Sequence, residues 1–225
     1  YAICCHGYSG QPQDMAKYAH RFARLGFTVL VPALRGHGLS EGRYAGMGWL
    51  DRRDLMRWIS LIIGSDADAR ILLQGKSMGA AAVMMTVGEP DLPRNVVAAV
   101  EDCGYASVGQ QFIDCARSMF HLPKFLAKPI VTTMGAIAQR RAGYGFQEAS
   151  CVEQLKHATI PMLFIHGGAD DFVPSRALDE NFDACASIDR QKLLIPSAGH
   201  SMSASTAPVV YWKTVTNFVT RVFGL

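Results

Sequence analysis

The sequence predicts an α/β fold, in which a mainly parallel sheet of about six visible strands is covered by helices on both faces. Three observations lead to this prediction. Short apolar runs alternate along the chain with amphipathic helical patterns, which is typical of parallel sheets. Glycine-bearing loops follow several of these runs. The chain has 225 residues, of which 49% are hydrophobic and 18% charged, enough for one globular domain of this kind.

The strands are predicted from short apolar segments bounded by glycine, proline or polar residues. They are expected at 1–5, 27–31, 70–74, 95–100, 161–165 and 191–195. Between them, apolar residues at steps of three and four predict helices at about 14–25, 48–63, 78–87, 175–185 and 206–222. In a sheet of this type, ligands bind beyond the carboxyl ends of the strands, so the loops that follow strands are the candidate site.

The alternation stops between Cys103 and Gln147, where no strand is apparent. Ser107 is a candidate N-cap for one helix, which is expected to end at 121–123. A second helix is expected from Pro129 to Arg141. We therefore predict a helical insertion at 103–147 within a core formed by 1–102 and 148–225.

Composition excludes several classes of protein. The net charge is only +3 and no run of lysine or arginine is present, so no nucleic-acid partner is expected. No segment approaches the roughly 18 apolar residues of a membrane helix. The six cysteines lack C-x-x-C spacing, so buried free thiols are favoured over a zinc site, with one disulfide in a secreted form left open. The chain begins at Tyr1 inside a predicted strand, which leaves its compartment undetermined.

The chemistry centres on Gly75–Gly79, a Gly-x-Ser-x-Gly pentapeptide between an apolar run and a run of alanines. A nucleophilic serine needs a strained turn between a strand and a helix, and the two glycines relieve its crowding. Gly75-Lys76-Ser77 also resembles the end of a phosphate-binding loop. That motif needs a glycine where Arg70 stands, so the nucleotide-binding alternative is disfavoured.

Three further loops follow strands and carry matching residues. They are His6–Gly10, His166–Pro174 and Ala198–Ser201. With the pentapeptide, these loops place a serine, then an acid, then a histidine along the chain. This is the order that one class of serine hydrolases requires. For the acid, the spacing to Val173-Pro174 favours Asp170, with Asp171, Glu101 and Asp102 as alternatives. No histidine–carboxylate group has metal-ligand spacing, so we expect a reaction without metal or cofactor.

These motifs, in this order and over nearly the whole chain, resemble the α/β-hydrolases of the serine esterase, lipase and aminopeptidase type. The resemblance implies that Ser77 is the nucleophile, His200 the base and Asp170 the acid, with the oxyanion held by backbone N–H groups of Tyr8 and Met78. It also implies that the insertion at 103–147 is a cap over the active site. His6 and His37 are expected to organise loops. Family members usually have two more strands before the His-Gly loop, so the strand at 27–31 is expected to form an exposed edge.

The expected substrate is a small carboxylic ester with a short or medium, mainly apolar acyl group. Apolar side chains of the insertion and of the first loop are the candidates for its pocket. They are Tyr8, Phe112, Met119, Phe120 and Met134. A serine peptidase or an aryl (cinnamoyl-type) esterase on the same residues is the alternative, and a ligand-binding protein without activity is a third. The oligomeric state is not indicated.

Overall fold

All 225 residues are described by the computed structural model of the protein. The strands are β1 (Ala2–Cys5), β2 (Val29–Leu30), β3 (Ile71–Lys76), β4 (Val96–Asp102), β5 (Met162–Gly167) and β6 (Arg190–Ile195). They form one parallel sheet in the order β2-β1-β3-β4-β5-β6. The predicted fold class is therefore confirmed. The helices are α1 (Ala16–Arg24), α2 (Asp51–Ser65), α3 (Met78–Val87), α4 (Val108–Phe120), α5 (Lys124–Ala142), α6 (Cys151–Leu155), α7 (Arg176–Ala184), α8 (Ser203–Thr206) and α9 (Pro208–Phe223).

The core has two layers because successive side chains of a strand point to opposite faces of the sheet. In β1, Ile3 and Cys5 belong to a cluster of 30 buried residues on the face covered by α2, α3 and α7. Ala2 and Cys4 belong to a cluster of 17 on the face covered by α1 and α9. Both faces of the central strands are thus buried, which explains their continuous apolar runs.

The edge strand β2 is shorter than predicted, since only Val29 and Leu30 pair with β1. It lies at one edge of the sheet, as expected, and both residues are half-buried. A two-residue edge offers few unpaired backbone groups to a neighbouring chain.

The insertion consists of α4 and α5, which pack against each other between β4 and β5. Ser107 caps α4 by accepting a hydrogen bond from the Gln110 N–H at 3.2 Å, as predicted. The start of α5 was predicted wrongly. The helix begins at Lys124, and Pro129 lies inside it. Pro129 falls in the second turn, where its ring removes one backbone donor without ending the helix.

Two short helices, α6 and α8, were not predicted. Ser150 caps α6 and also pairs with Ser107 in an isolated antiparallel bridge. This bridge joins the two ends of the insertion at its base. Ser175 was expected to cap α7, and it stands at the N-cap position but makes no side-chain capping bond.

No helix of the protein has the length and apolar character needed to cross a membrane. None of the six cysteines forms a disulfide, and five of them are buried, with Cys115 partly accessible. Burial raises the pKa of Cys4 to about 12, so this thiol is neutral and packs as a small apolar group.

Candidate active site

Ser77 lies at the turn between β3 and α3, at the carboxyl edge of the sheet. Its φ of 55° and ψ of −119° are strained for a residue with a side chain. Strain of this kind costs about 1–3 kcal/mol and is maintained by the surrounding structure. Here the Ser77 N–H donates to Asp102 O at 2.8 Å, and Ser77 O accepts from the Ala81 N–H at 3.0 Å. The turn therefore fixes the direction of the hydroxyl.

The two glycines of the pentapeptide are required by close backbone contacts. A Cβ at Gly79 would lie 2.5 Å from His6 O and closer still to Cys5 O, because α3 packs directly on the end of β1. A Cβ at Gly75 would lie 2.6 Å from Ala80 Cα. Neither contact can be relieved by moving a flexible side chain. The first turn of α3 thus lies against β1, next to the His6–Gly10 loop.

Ser77, His200 and Asp170 form a chain of hydrogen bonds. Ser77 Oγ lies 2.8 Å from His200 Nε2, and His200 Nδ1 lies 2.8 Å from Asp170 Oδ2. The Asp170 side chain is fully buried, whereas that of His200 is 21% exposed. Asp171, which was an alternative for the acid, is exposed and forms no hydrogen bond with His200.

Asp170 is held by its own loop and by a second histidine. Asp170 Oδ1 accepts hydrogen bonds from the Phe172 and Val173 N–H groups at 3.0 and 2.8 Å. Asp170 Oδ2 also lies 3.4 Å from His166 Nε2. Although burial alone would raise the pKa of Asp170, the hydrogen bonds from His166 and His200 hold that pKa well below its usual range. Asp170 is therefore a carboxylate at neutral pH.

His166 was not predicted to contribute to the site. It is fully buried, and its Nε2 lies 3.0 Å from Val173 O as well as 3.4 Å from Asp170 Oδ2. Since both neighbours are acceptors, Nε2 carries a proton and donates to them. Burial alone would lower the pKa of His166, but its hydrogen bond to Asp170 raises it. Its position near the end of β5, four residues before Asp170, was the only signal in the sequence.

The loops that carry Asp170 and His200 are joined by backbone hydrogen bonds. The Gly168 N–H donates to Ile195 O at 2.8 Å, and the Ala169 N–H donates to Ala198 O at 3.0 Å. The loops after β5 and β6 therefore form one unit. This unit sets the distance between the carboxylate and the imidazole.

The His6–Gly10 loop lies against Ser77. A Cβ on Gly7 would lie 3.3 Å from the Cβ of Ser77. His6 Nδ1 lies 2.8 Å from Gly7 O, and His6 Nε2 accepts a hydrogen bond from the Leu34 N–H at 3.0 Å. His37 Nε2 accepts from the Ser9 N–H at 3.1 Å. Both histidines thus organise loops, in agreement with the prediction.

The other carboxylates considered for the acid lie away from His200. Asp102 is buried and accepts hydrogen bonds from the hydroxyls of Tyr211 and Tyr18 at 2.9 and 3.4 Å. Glu101 accepts from the Gly104 N–H at 3.0 Å, and burial raises its pKa to about 8. The fold also brings Cys103 close, so that ligand atoms of Cys103, Asp170 and His200 lie within 4.8 Å of one another. Sequence spacing gave no sign of this last group.

Ser77 opens into a cavity of about 480 Å³ between the core and the insertion. Its lining is mainly apolar, and Arg141 is the only charged residue in it. Of the predicted pocket residues, Tyr8, Phe112 and Met134 line this cavity together with Met78. Met119 and Phe120 do not line it. They lie near the end of α4, beyond the cavity, and are 63% and 70% exposed.

Several residues that line the cavity were not predicted. They are Tyr44, Met47, Tyr105, Ile137, Arg141, Tyr144 and Phe146. Two of these tyrosines hold the wall formed by residues 45–47. The Tyr105 hydroxyl donates to Met47 O at 3.0 Å, and the Tyr144 hydroxyl donates to Ala45 O at 3.1 Å. The rings of Phe112 and Phe146 stack at 4.8 Å.

The insertion also contacts the loop that carries Asp170. Gln111 of α4 donates from Nε2 to Phe172 O at 2.9 Å, and Asp114 of α4 pairs with Arg176 of α7. The Phe172 ring lies 5.0 Å from the His200 ring, measured between centroids. A displacement of α4 would therefore reach the site through Phe172.

Comparison with known proteins places the chain in a family. Residues 2–131, more than half of the chain, match the family described as "Serine aminopeptidase, S33". The chain is 26% identical over 218 residues to YqkD of Bacillus subtilis (strain 168), covering 96% of this chain and 70% of that protein. It is 29% identical over 202 residues to Rv2307c of Mycobacterium tuberculosis (strain ATCC 25618 / H37Rv), covering 88% and 62%. The chain thus spans about two thirds of the length of these relatives.

Solved structures agree on the fold. The Pyrococcus furiosus esterase Pf2001 has a TM-score of 0.77 with this protein at 21% identity, covering 98% of this chain and 82% of that one. At this identity the likeness shows the fold alone. Together with the family match, it shows that the chain is an α/β-hydrolase and belongs to the serine aminopeptidase S33 family.

Proposed function

We propose that the protein hydrolyses carboxylic esters with short or medium, mainly apolar acyl groups through Ser77, His200 and Asp170. The proposal depends chiefly on one observation. Ser77 Oγ is hydrogen-bonded to a histidine whose other nitrogen contacts a buried carboxylate, and the same serine opens into an apolar cavity.

In the first half of the reaction, Ser77 Oγ attacks the ester carbonyl while its proton passes to His200 Nε2. Asp170 holds His200 with its proton on Nδ1 and stabilises the imidazolium that forms. His200 then gives the proton to the departing alcohol oxygen, which leaves an acyl group on Ser77. In the second half, water attacks this acyl group, His200 takes the water proton, and Ser77 Oγ leaves with that proton as the acid is released.

The oxyanion of each tetrahedral intermediate is proposed to bind the N–H groups of Tyr8 and Met78. Met78 is the first residue of α3, and the first N–H groups of a helix have no partner within the helix. Tyr8 follows Gly7, which lies against Ser77, and both Tyr8 and Met78 line the cavity. Removing one such donor typically costs about 2.7–4 kcal/mol of barrier.

The lining of the cavity favours an ester over an aminopeptidase substrate. An aminopeptidase must bind a cationic α-amino group, and a buried cation needs an anionic partner. No aspartate or glutamate lines the cavity. The family description nevertheless makes an aminopeptidase the second candidate.

Labelling with a fluorophosphonate tests the nucleophile. Intact-mass and peptide analysis should place one adduct on Ser77, and Ser77→Ala should take none. An adduct elsewhere, or no adduct on the wild-type protein, would overturn the mechanism.

A panel of p-nitrophenyl esters of increasing acyl length, run beside aminoacyl arylamides, tests the substrate class. Each added CH₂ that becomes buried contributes about 0.8 kcal/mol, so kcat/KM should rise up to about fourfold per methylene until the cavity is filled. Strong arylamide turnover with negligible ester turnover would establish the aminopeptidase instead. Ester rates that do not change with chain length would contradict an acyl-binding role for the cavity.

A further inference from the structure

The insertion exposes large apolar side chains. We call the surface that they form the hairpin surface, and its members are Met119, Phe120, Phe125, Leu126, Ile130, Met134 and Ile137. Phe125 is 74% exposed, and the others are between 40% and 70% exposed. So many large apolar side chains exposed within one pair of helices indicate an interaction site.

The exposure follows from how α5 packs. Ala127, Val131 and Gly135 are the buried residues of this helix. These side chains are small, so α5 contacts the rest of the protein through a narrow face. Leu126, Ile130 and Met134 are one residue away from that face at each turn, and they remain uncovered although they have the same helical spacing.

The insertion that carries the hairpin surface is also rich in cations. Between Cys115 and Gln147 lie five of the 22 lysines and arginines and none of the 19 aspartates and glutamates. The remaining 17 basic residues are outnumbered by acidic ones, so the positive charge of the chain is concentrated in the insertion. The five cations are Arg117, Lys124, Lys128, Arg140 and Arg141. All five are exposed, and none takes part in an ion pair.

The apolar part of this surface continues into the cavity beside Ser77. Met134 and Ile137 are at least 40% exposed and also line the cavity, and Arg141 lines it at the end of α5. A partner bound at the hairpin surface would therefore lie at the mouth of the site.

We propose that the hairpin surface docks on a lipid bilayer whose headgroups are anionic. Helices that carry large apolar residues and lysine or arginine without acidic residues bind in this way, with the apolar side chains in the headgroup boundary and the cations near the phosphates. A second copy of the chain would bring two sets of five cations together, and their repulsion disfavours it as the occupant. This docking goes beyond ester hydrolysis and does not depend on it.

Vesicle co-sedimentation tests the proposal. The full chain is mixed with vesicles of phosphatidylcholine alone, or of equal parts phosphatidylcholine and phosphatidylglycerol. We expect binding to the anionic vesicles, weaker binding at high salt, and little binding to phosphatidylcholine. Near an anionic surface each Lys or Arg contributes about 1 kcal/mol, so Lys124→Gln/Lys128→Gln should weaken partition about 30-fold. Arg24→Gln/Lys213→Gln makes the same change of net charge on α1 and α9 and should bind as the wild type.

The apolar contribution is tested with Phe125→Ser/Ile130→Ser, which should lose binding to anionic vesicles at low salt. Both residues are exposed and lie outside the cavity, so unfolding temperature and turnover of a soluble ester should not change. Ile188→Ser removes a fully exposed apolar residue before β6 and is the matched control.

Three results would overturn the proposal. They are equal binding to both kinds of vesicle, no binding to either, and a dimer in light scattering that Phe125→Ser/Ile130→Ser dissociates, which would identify a second copy as the occupant. Because vesicle binding is read without any substrate, it remains a separate result if ester hydrolysis fails.

Discussion

Every acceptor position of Asp170 faces a donor, and this makes Asp170→Asn an informative change. Oδ1 accepts from two backbone N–H groups, and Oδ2 faces His200 Nδ1 at 2.8 Å and His166 Nε2 at 3.4 Å. An asparagine has an acceptor on one side only. The less costly orientation keeps its oxygen on the two N–H groups of the loop and turns its NH₂ group toward His200.

In that orientation His200 Nδ1 must accept a hydrogen bond, so the ring proton moves to Nε2. Nε2 then cannot take the proton of Ser77. We expect kcat for ester hydrolysis to fall about 10⁴-fold, the loss typical of this change of tautomer, which corresponds to about 5.5 kcal/mol of barrier. KM should change little because Asp170 does not line the cavity.

Steady-state kinetics on a p-nitrophenyl ester measures both constants, and thermal unfolding checks that the variant is folded. Asp171→Asn is the matched control, since Asp171 is exposed and forms no hydrogen bond with His200. The reasoning would be refuted if Asp170→Asn kept kcat within about tenfold of the wild type, or if Asp171→Asn lost it.

Three further predictions concern groups around the site. His166→Leu should lower the free energy of unfolding by about 1–3 kcal/mol and reduce kcat, because Val173 O loses its donor. His166→Gln restores an N–H group and should recover most of the stability and of kcat, whereas equal losses in the two variants would contradict this role. Gly79→Ala should destabilise the protein by about 3 kcal/mol in urea unfolding, whereas Gly64→Ala, with open space at its Cβ, should stabilise it by about 0.5–1 kcal/mol. If Gly64→Ala were the less stable variant, the close packing at Gly79 would be contradicted. The pKa of Glu101 rises from 4.5 to about 8 on folding, so its contribution to stability is complete below pH 4.5 and lost as pH rises toward 8. Glu101→Gln should therefore reduce the pH dependence of the stability measured in urea across that range, and an unchanged pH dependence would exclude Glu101 as its cause.

The sheet and the positions of Ser77, Asp170 and His200 could be predicted because their signals are local. Each of these residues follows a short apolar run that forms a strand, and parallel strands bring their carboxyl ends to one edge. Asp170 could be preferred to Asp171 from its spacing to Val173, and the fold places Asp170 beside His200.

The cavity could not be predicted in the same way. Tyr44, Tyr105 and Tyr144 come from three distant parts of the chain, and no local pattern relates them. Met119 lies seven residues after Phe112 and therefore on the same side of α4. Periodicity gives the side of a helix, but it does not say how far along the helix the cavity extends. The start of α5 was missed for a related reason, since Pro129 can interrupt one hydrogen bond without ending a helix that is supported by packing.

The insertion leaves and rejoins the core at one place, where Ser107 and Ser150 pair, and it contains none of Ser77, Asp170 and His200. The residues proposed to react and one wall of the cavity thus lie in separate stretches of the chain. Substitutions on the cavity side of α5 can alter what reaches Ser77 while the contacts of α4 with Phe172 and Arg176 are kept. A relative with a different hairpin between the same two strands could accept other molecules with unchanged chemistry, and exchanging residues 108–142 between relatives should transfer preference as a module.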